Sequence, residues 1–148
     1  MLNQPVKRYF KLASLLATVL VIAALATNVM ASAGGYSYWG EFTIPELDIP
    51  VPGGQLYGEV DGKSLHVSQA GGDFLSLGNL CNWHIDVVFY DEHNREAYKV
   101  PGSIHESCNH EGGEKYNINR DVPRGRVCIR LYTAFNHQVT SVCHNIVK

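Results

Sequence analysis

Cys81, Cys108, Cys128 and Cys143 are the only cysteines of the chain, and all four follow an N-terminal stretch that reads as an export signal. This combination constrains the fold more than any other feature. An exported domain of modest size with an even cysteine count reads as a disulfide framework. Four cysteines admit three connectivities. Cys81–Cys108 with Cys128–Cys143 is favoured, because the second pair flanks a predicted hairpin with its midpoint near Phe135 and Asn136. Each bond would contribute about 2–4 kcal/mol, a large share of the stability of a small domain. Zinc is the weaker reading. There is no C-x-x-C pair, and Cys108-Asn109-His110 and Cys143-His144 lack ligand spacing.

The export signal is tripartite. Lys7, Arg8 and Lys11 precede the apolar run Leu12 to Ala26, and Ala31-Ser32-Ala33 supplies a small-x-small cleavage pattern. A retained anchor is the competing reading, but the run is shorter than the roughly 20 residues of a spanning helix. Residues 1–33 are therefore read as a secretory signal, 34–54 as an arm and 55–148 as a β domain. Removing the signal takes the basic residues from twelve to nine against fourteen acidic ones, a net charge of −5. An acidic, extracellular protein is expected to avoid nucleic acid and, once the signal is cleaved, anionic membranes. At 148 residues the chain is too short for a two-domain enzyme or a full dinucleotide-binding fold.

From Gln55 onward the pattern is one of short strands and turns. Leu56 to Val60, Asp61-Gly62 and Ser64 to Ser68 read as a hairpin turning at Asp-Gly. Gly71-Gly72 and Gly78-Asn79 predict a loop. Trp83 to Tyr90 alternates strictly, with Trp83, Ile85, Val87 and Phe89 on one face, and predicts a half-buried strand. Further strands are predicted at Glu96 to Val100, Tyr116 to Ile118, Val127 to Tyr132 and Val139 to Ile146. Helical periodicity is absent beyond the signal. The expected fold is all-β: a compact antiparallel β-sandwich or partly open barrel with two disulfides and an extended N-terminal arm.

Chemistry-bearing motifs are sparse. Seven histidines are present, but neither H-E-x-x-H nor H-x-H occurs. His84 and Asp86 share one strand face and could form a site with His66 or His144; polar residues on a solvated face are the simpler reading. No G-x-S-x-G elbow appears, and paired thiols leave no free nucleophile. Glu92/Glu96 and Asp86/Asp91 are acid pairs expected by chance on such a surface. No catalytic residue, metal, cofactor or small-molecule substrate is expected. Arg120, Arg124, Arg126 and Arg130 form the one basic cluster, open either to a carboxylate-rich partner or to the chain's own acids.

The arm is the sharpest feature. Pro45, Pro50 and Pro52 forbid helix and favour extended backbone. Tyr36, Tyr38, Trp39, Phe42, Ile44, Leu47, Ile49 and Val51 decorate it, too apolar a set for a linker. A stiff extended segment loses little entropy on docking, and its aromatic residues are typical interface anchors. Either the arm pairs as the first strand of its own sheet, or it engages a partner; the aromatic residues favour a partner, and these eight residues are read as its contacts.

The segments G-N-L-C-N-W-H-I-D (Gly78 to Asp86), the single Cys108, G-R-V-C-I-R-L-Y (Gly125 to Tyr132) and C-H-N-I (Cys143 to Ile146) resemble a group of small secreted actinobacterial proteins. In outline the chain is similar to the adaptor subunit of the umbrella toxin particles of Streptomyces. That resemblance implies a strap from Tyr36 to Val51 that enters the cleft of a trypsin-like-fold lectin subunit. It also implies a β domain that docks on a long repeat-bearing toxin chain. The expected function is thus a secreted, non-enzymatic adaptor that binds larger secreted proteins. A secreted protease inhibitor and a small histidine-dependent hydrolase are the alternatives.

Overall fold

The computed structural model describes residues 32–147; the signal assigned to residues 1–33 lies almost wholly outside them. Nine strands follow in order among the described residues: β1 (Ala33–Trp39), β2 (Phe42–Ile44), β3 (Ile49–Val51), β4 (Gly54–Lys63), β5 (His66–Asp91), β6 (Glu96–Val100), β7 (His105–Asp121), β8 (Gly125–Thr133) and β9 (His137–Ile146). No helix occurs among them, so none is long and apolar enough to cross a membrane. The fold is all-β and antiparallel, a nearly closed barrel.

β5 organises the barrel by changing partners along its length. Its first half lies between β4 and β7, and its second half between β6 and β8, with β9 beyond β8. β1 pairs with β4 from Ala33↔Val60 to Trp39↔Gly54. Side chains tie β9 to the other wall: the hydroxyls of Ser37 in β1 and Thr140 in β9 lie 2.7 Å apart, and His144 Nε2 of β9 donates to Gly58 O of β4 at 3.1 Å. Inward-facing residues fill the space between the two walls. Leu56, Phe74, Ile85, Val87, Phe89, Val127, Ile129 and Leu131 are all at most 3% exposed. The walls approach closely at Gly58, where an added Cβ would stand 2.9 Å from Val142 and 3.3 Å from Ile129. A side chain there would push the sheets apart.

Both disulfides take the favoured pairing. Cys81–Cys108 and Cys128–Cys143 each join directly opposed residues of paired strands. Two such bonds fit an oxidising compartment.

Four local expectations are corrected. The β4–β5 hairpin turns at Ser64-Leu65, with Ser64 at φ 57°, and not at Asp61-Gly62. Gly62 instead serves a register shift, where a Cβ would run into the His66 carbonyl. Gly71-Gly72 and Gly78-Asn79 lie within β5 rather than in a loop. At Gly72 the reason is close packing, since an added Cβ would meet Ile129 at 3.1 Å. The short strand predicted at Tyr116 to Ile118 is the end of the 17-residue β7. The stretch Trp83 to Tyr90 is buried on both faces. Its outer face is roofed by Tyr132 stacked on His84 and by Arg126 and Arg130 over Tyr90.

Candidate functional site

The arm is extended, as its prolines require, and it is paired. Its first part is β1, and the rest folds into a hairpin in which Phe42–Ile44 opposes Ile49–Val51. This resolves the alternative left open by sequence: the backbone joins its own fold. Ile44 and Val51, assigned above to a partner, are 2% and 1% exposed and plug one end of the core. The apolar period of a short hairpin sends one set of side chains inward, and these two belong to it. Trp39 and Phe42 are partly buried against the same core. Trp39 Nε1 donates to Pro52 O at 2.6 Å, which fixes the indole. Tyr36, Tyr38, Leu47 and Ile49 remain exposed.

These exposed residues do not stand alone. Tyr38 and Trp39 line an open groove of about 640 Å³ with Leu75 and Leu77 of β5. Leu47 and Ile49 line a second groove, of about 410 Å³, with Phe135 of the β8–β9 turn. The segments around Pro52 and Gly78 lie between the grooves; a Cβ on Gly78 would stand 3.2 Å from the Pro52 ring. Among the described residues, six of the nine exposed large hydrophobic ones line these two grooves. Such clustering at one end makes a contiguous apolar patch, which scattered exposed leucines would not.

Two backbone features present this surface. The β5–β7 register shifts between Leu75 and Leu80, and the bulge turns Leu77 out to 91% exposure. Leu77 N still donates to Gly53 O at 2.8 Å, so the protruding side chain stands on a fixed backbone. Bulges re-aim side chains in this way. In the β8–β9 turn, Ala134 and Phe135 have φ 44° and 73°. Their amides donate to Cys81 O at 3.0 Å and Asn82 O at 3.3 Å. A bulky aromatic residue held in the left-handed region is strained, and such strain concentrates at functional surfaces. Ala33 pairs at the opposite end of β1 from Trp39. The chain therefore enters the fold about 20 Å from the grooves, at 3.3 Å per strand residue.

The histidine–aspartate pair is held within the structure. His84 Nε2 lies 3.7 Å from Asp86 Oδ1, and both residues are buried. Asp86 accepts from Lys99 at 2.7 Å and from Gly102 N at 2.8 Å. His66 instead bonds Asp121 and Asn119, and His144 bonds Gly58 O. Neither residue joins the pair. No group of three or more potential metal ligands occurs among the described residues. Burial lowers the His84 pKa, against the pull of Asp86. The folded protein therefore binds this proton less readily than the unfolded chain. Stability at this position is present above the ordinary imidazole pKa of about 6.5 and is lost as pH falls below it. His66 acts oppositely, its pKa raised by the Asp121 hydrogen bond, so that its contribution fades as pH rises. Urea midpoints measured from pH 8 to 5 should fall on the acid side. In His84→Phe this fall should shrink, and an unchanged profile would remove the assignment.

The arginines meet aromatic rings. Arg120 lies 4.2 Å from the Tyr98 ring centre, and Arg126 and Arg130 lie 5.1 and 5.5 Å from that of Tyr90. Sequence reasoning missed Leu75, Leu77 and Phe135. Their only signal was an apolar residue beside a glycine or within a turn, and position in three dimensions gives them their role.

The fold is a disulfide-stapled, nearly closed antiparallel β barrel with an exposed apolar end. Compared with protein-family models, curated protein sequences and solved structures, the chain matches none.

Proposed function

We propose that this is a secreted, non-enzymatic adaptor that binds a larger secreted protein through the end of the barrel built by its arm. Among the described residues, the concentration of six of the nine exposed large hydrophobic ones around two adjoining grooves carries this reading. The acidic composition, the paired cysteines and the signal-like leader support an extracellular setting. The resemblance to the adaptor subunit of toxin particles supports the same class. It implies a strap from Tyr36 to Val51; that segment is a paired strand and hairpin here, and its residues from Tyr38 onward supply part of both grooves. His84 and Asp86, buried and bonded within the chain, do not favour a hydrolase.

The test is affinity capture from culture supernatant with the protein and three surface variants. Leu77→Asp and Tyr38→Ala should each weaken capture of a defined partner by about 30-fold, the size of an interface hot spot of about 2 kcal/mol. Phe135→Gly should also weaken it, yet raise the melting temperature by relieving the left-handed strain. Partner capture unaltered in all three variants would overturn the reading. A protruding Leu77 on a fixed backbone also suits a protease inhibitor. Stoichiometric block of a secreted protease, abolished by Leu77→Asp, would select that reading.

A further inference from the structure

We infer that the partner segment seated on this surface is cationic: an extended peptide stretch with an apolar anchor flanked by lysine or arginine. This rests on the docking reading above and adds the chemistry of the occupant.

Strand register sets out the surface that leads into the first groove. Residues directly opposed across paired strands share a sheet face. On the outer face, Tyr36 opposes Tyr57, which opposes Asp73; Tyr38 opposes Gln55, which opposes Leu75 and then Glu111. One row further, Glu59 opposes Gly71, which opposes Lys115, and Asp61 lies beyond. Carboxylates thus surround a row of tyrosines. Tyr36 and Tyr38 are 59% and 72% exposed, and Tyr36 and Tyr57 have ring centres 4.9 Å apart. The arm adds Glu41 at the first groove and Glu46 and Asp48 in the hairpin turn, all exposed. No lysine, arginine or histidine occurs between Ala33 and Gly62.

Exposed aromatic faces and unpaired carboxylates attract the same ligand chemistry, a cation, by quadrupole and by charge. The face already holds one ammonium of its own, Lys115, paired with Glu59. Two neighbouring groups register the negative field. The Lys115 pKa is raised chiefly by Glu59, with Asp61 and Asp73 adding to it. The Tyr57 phenol is also raised, first by burial and then by Glu59, Tyr36 and Asp61. A neutral oligosaccharide would use the rings but gain nothing from the excess of carboxylates. An anionic segment would be repelled. A cationic segment uses both, and the acid fence would speed its encounter.

Three blocked pentapeptides test this. Each carries leucine and phenylalanine at its second and fourth positions, with the other three positions all lysine, all serine or all glutamate. Each is titrated into the purified protein, and binding is read from the amide shifts of Tyr36, Tyr38, Tyr57 and Leu75. The lysine peptide should bind about tenfold more tightly than the serine peptide, and the glutamate peptide should not bind. The difference should shrink at high salt and in the Glu41→Gln/Asp73→Asn variant. Equal binding of the lysine and serine peptides would overturn the cationic assignment and leave the apolar docking surface standing. Binding of xylohexaose at the tyrosines, with the lysine peptide silent, would make the face a glycan site and overturn it too. No shift with any peptide would remove both this inference and the docking reading.

Discussion

Glu114→Ala is expected to destabilise the protein by about 3–5 kcal/mol, because it takes a charged acceptor from several partly buried donors at once. Glu114 belongs to the inward row of its wall, opposite Gly72 and, beyond it, Gly58. The two glycines leave room for a carboxylate inside the barrel. Its Oε2 accepts from Ile85 N at 3.0 Å and from the Tyr116 hydroxyl at 2.6 Å, and its Oε1 lies 3.1 Å from His105 Nε2. The Tyr116 hydroxyl also lies 2.9 Å from Ile85 O. Glu114 and Tyr116 together satisfy the backbone of β5 at Ile85, just past the point where β7 leaves it. Burial, then Glu114, pushes the Tyr116 phenol far above its ordinary pKa, so the hydroxyl stays protonated as a donor. Alanine would leave the Ile85 amide and His105 without their acceptor, and Tyr116 with the Ile85 carbonyl alone. Thermal unfolding should show a drop of about 10–20 °C, and Glu114→Gln, which keeps one acceptor oxygen, should lose markedly less. A loss under about 1 kcal/mol in the alanine variant would mean that water replaces the carboxylate and that the network is dispensable.

The all-β class, the disulfide pairing and the strands at Glu96–Val100, Gly125–Thr133 and His137–Ile146 were legible because each rests on local signal. Alternation marks a strand with one buried face, and the hairpin brings Cys128 opposite Cys143. β7 was largely invisible, because residues 105–115 of this edge strand carry polar side chains with no apolar period. Glu114 was invisible for the same reason. In sequence it is one acid among many, and it becomes an interior acceptor only when β5 bends across it. The Asp61-Gly62 signal marked the right hairpin but the wrong residues, since glycine serves a bulge as readily as a turn. The arm was legible as something that must be buried. Sequence could not divide its side chains: Ile44 and Ile49 are opposed in the hairpin, yet Ile44 is 2% exposed and Ile49 41%, a difference set by what each meets in the folded barrel. Leu77 is marked in sequence only by the glycine that follows it; a four-residue irregularity in one ladder exposes it.

Removing either disulfide is expected to cost about 3–4 kcal/mol, yet only one removal should disturb the grooved end proposed to dock a partner. The bonds close loops of 27 and 15 residues, and loop-closure entropy gives contributions of similar size for the two. Both double-serine variants should therefore melt about 10–15 °C lower. Their surroundings differ. Cys128–Cys143 lies on the outer face of the β8–β9 pair, beside Val88 and Tyr90 and away from the grooves. Cys81–Cys108 ties down the part of β5 that carries the second groove. The Cys81 carbonyl accepts from Thr133 Oγ1 at 2.9 Å and from Ala134 N at 3.0 Å, and the next carbonyl, at Asn82, accepts from Phe135 N. These bonds hold Ala134 and Phe135 in the left-handed region. Once Cys81 is cut loose, the strain in the turn is opposed by a softer strand, and the turn should open locally well below global unfolding. Hydrogen exchange at the Ala134 and Phe135 amides should accelerate in Cys81→Ser/Cys108→Ser beyond the change expected from stability alone. In Cys128→Ser/Cys143→Ser it should track global stability. Partner affinity should fall in the first variant and hold in the second when both are measured well below their melting temperatures. Equal exchange and equal affinity in the two would show that the disulfides act only on the unfolded chain, and that the docking end is held by its hydrogen bonds without help from Cys81.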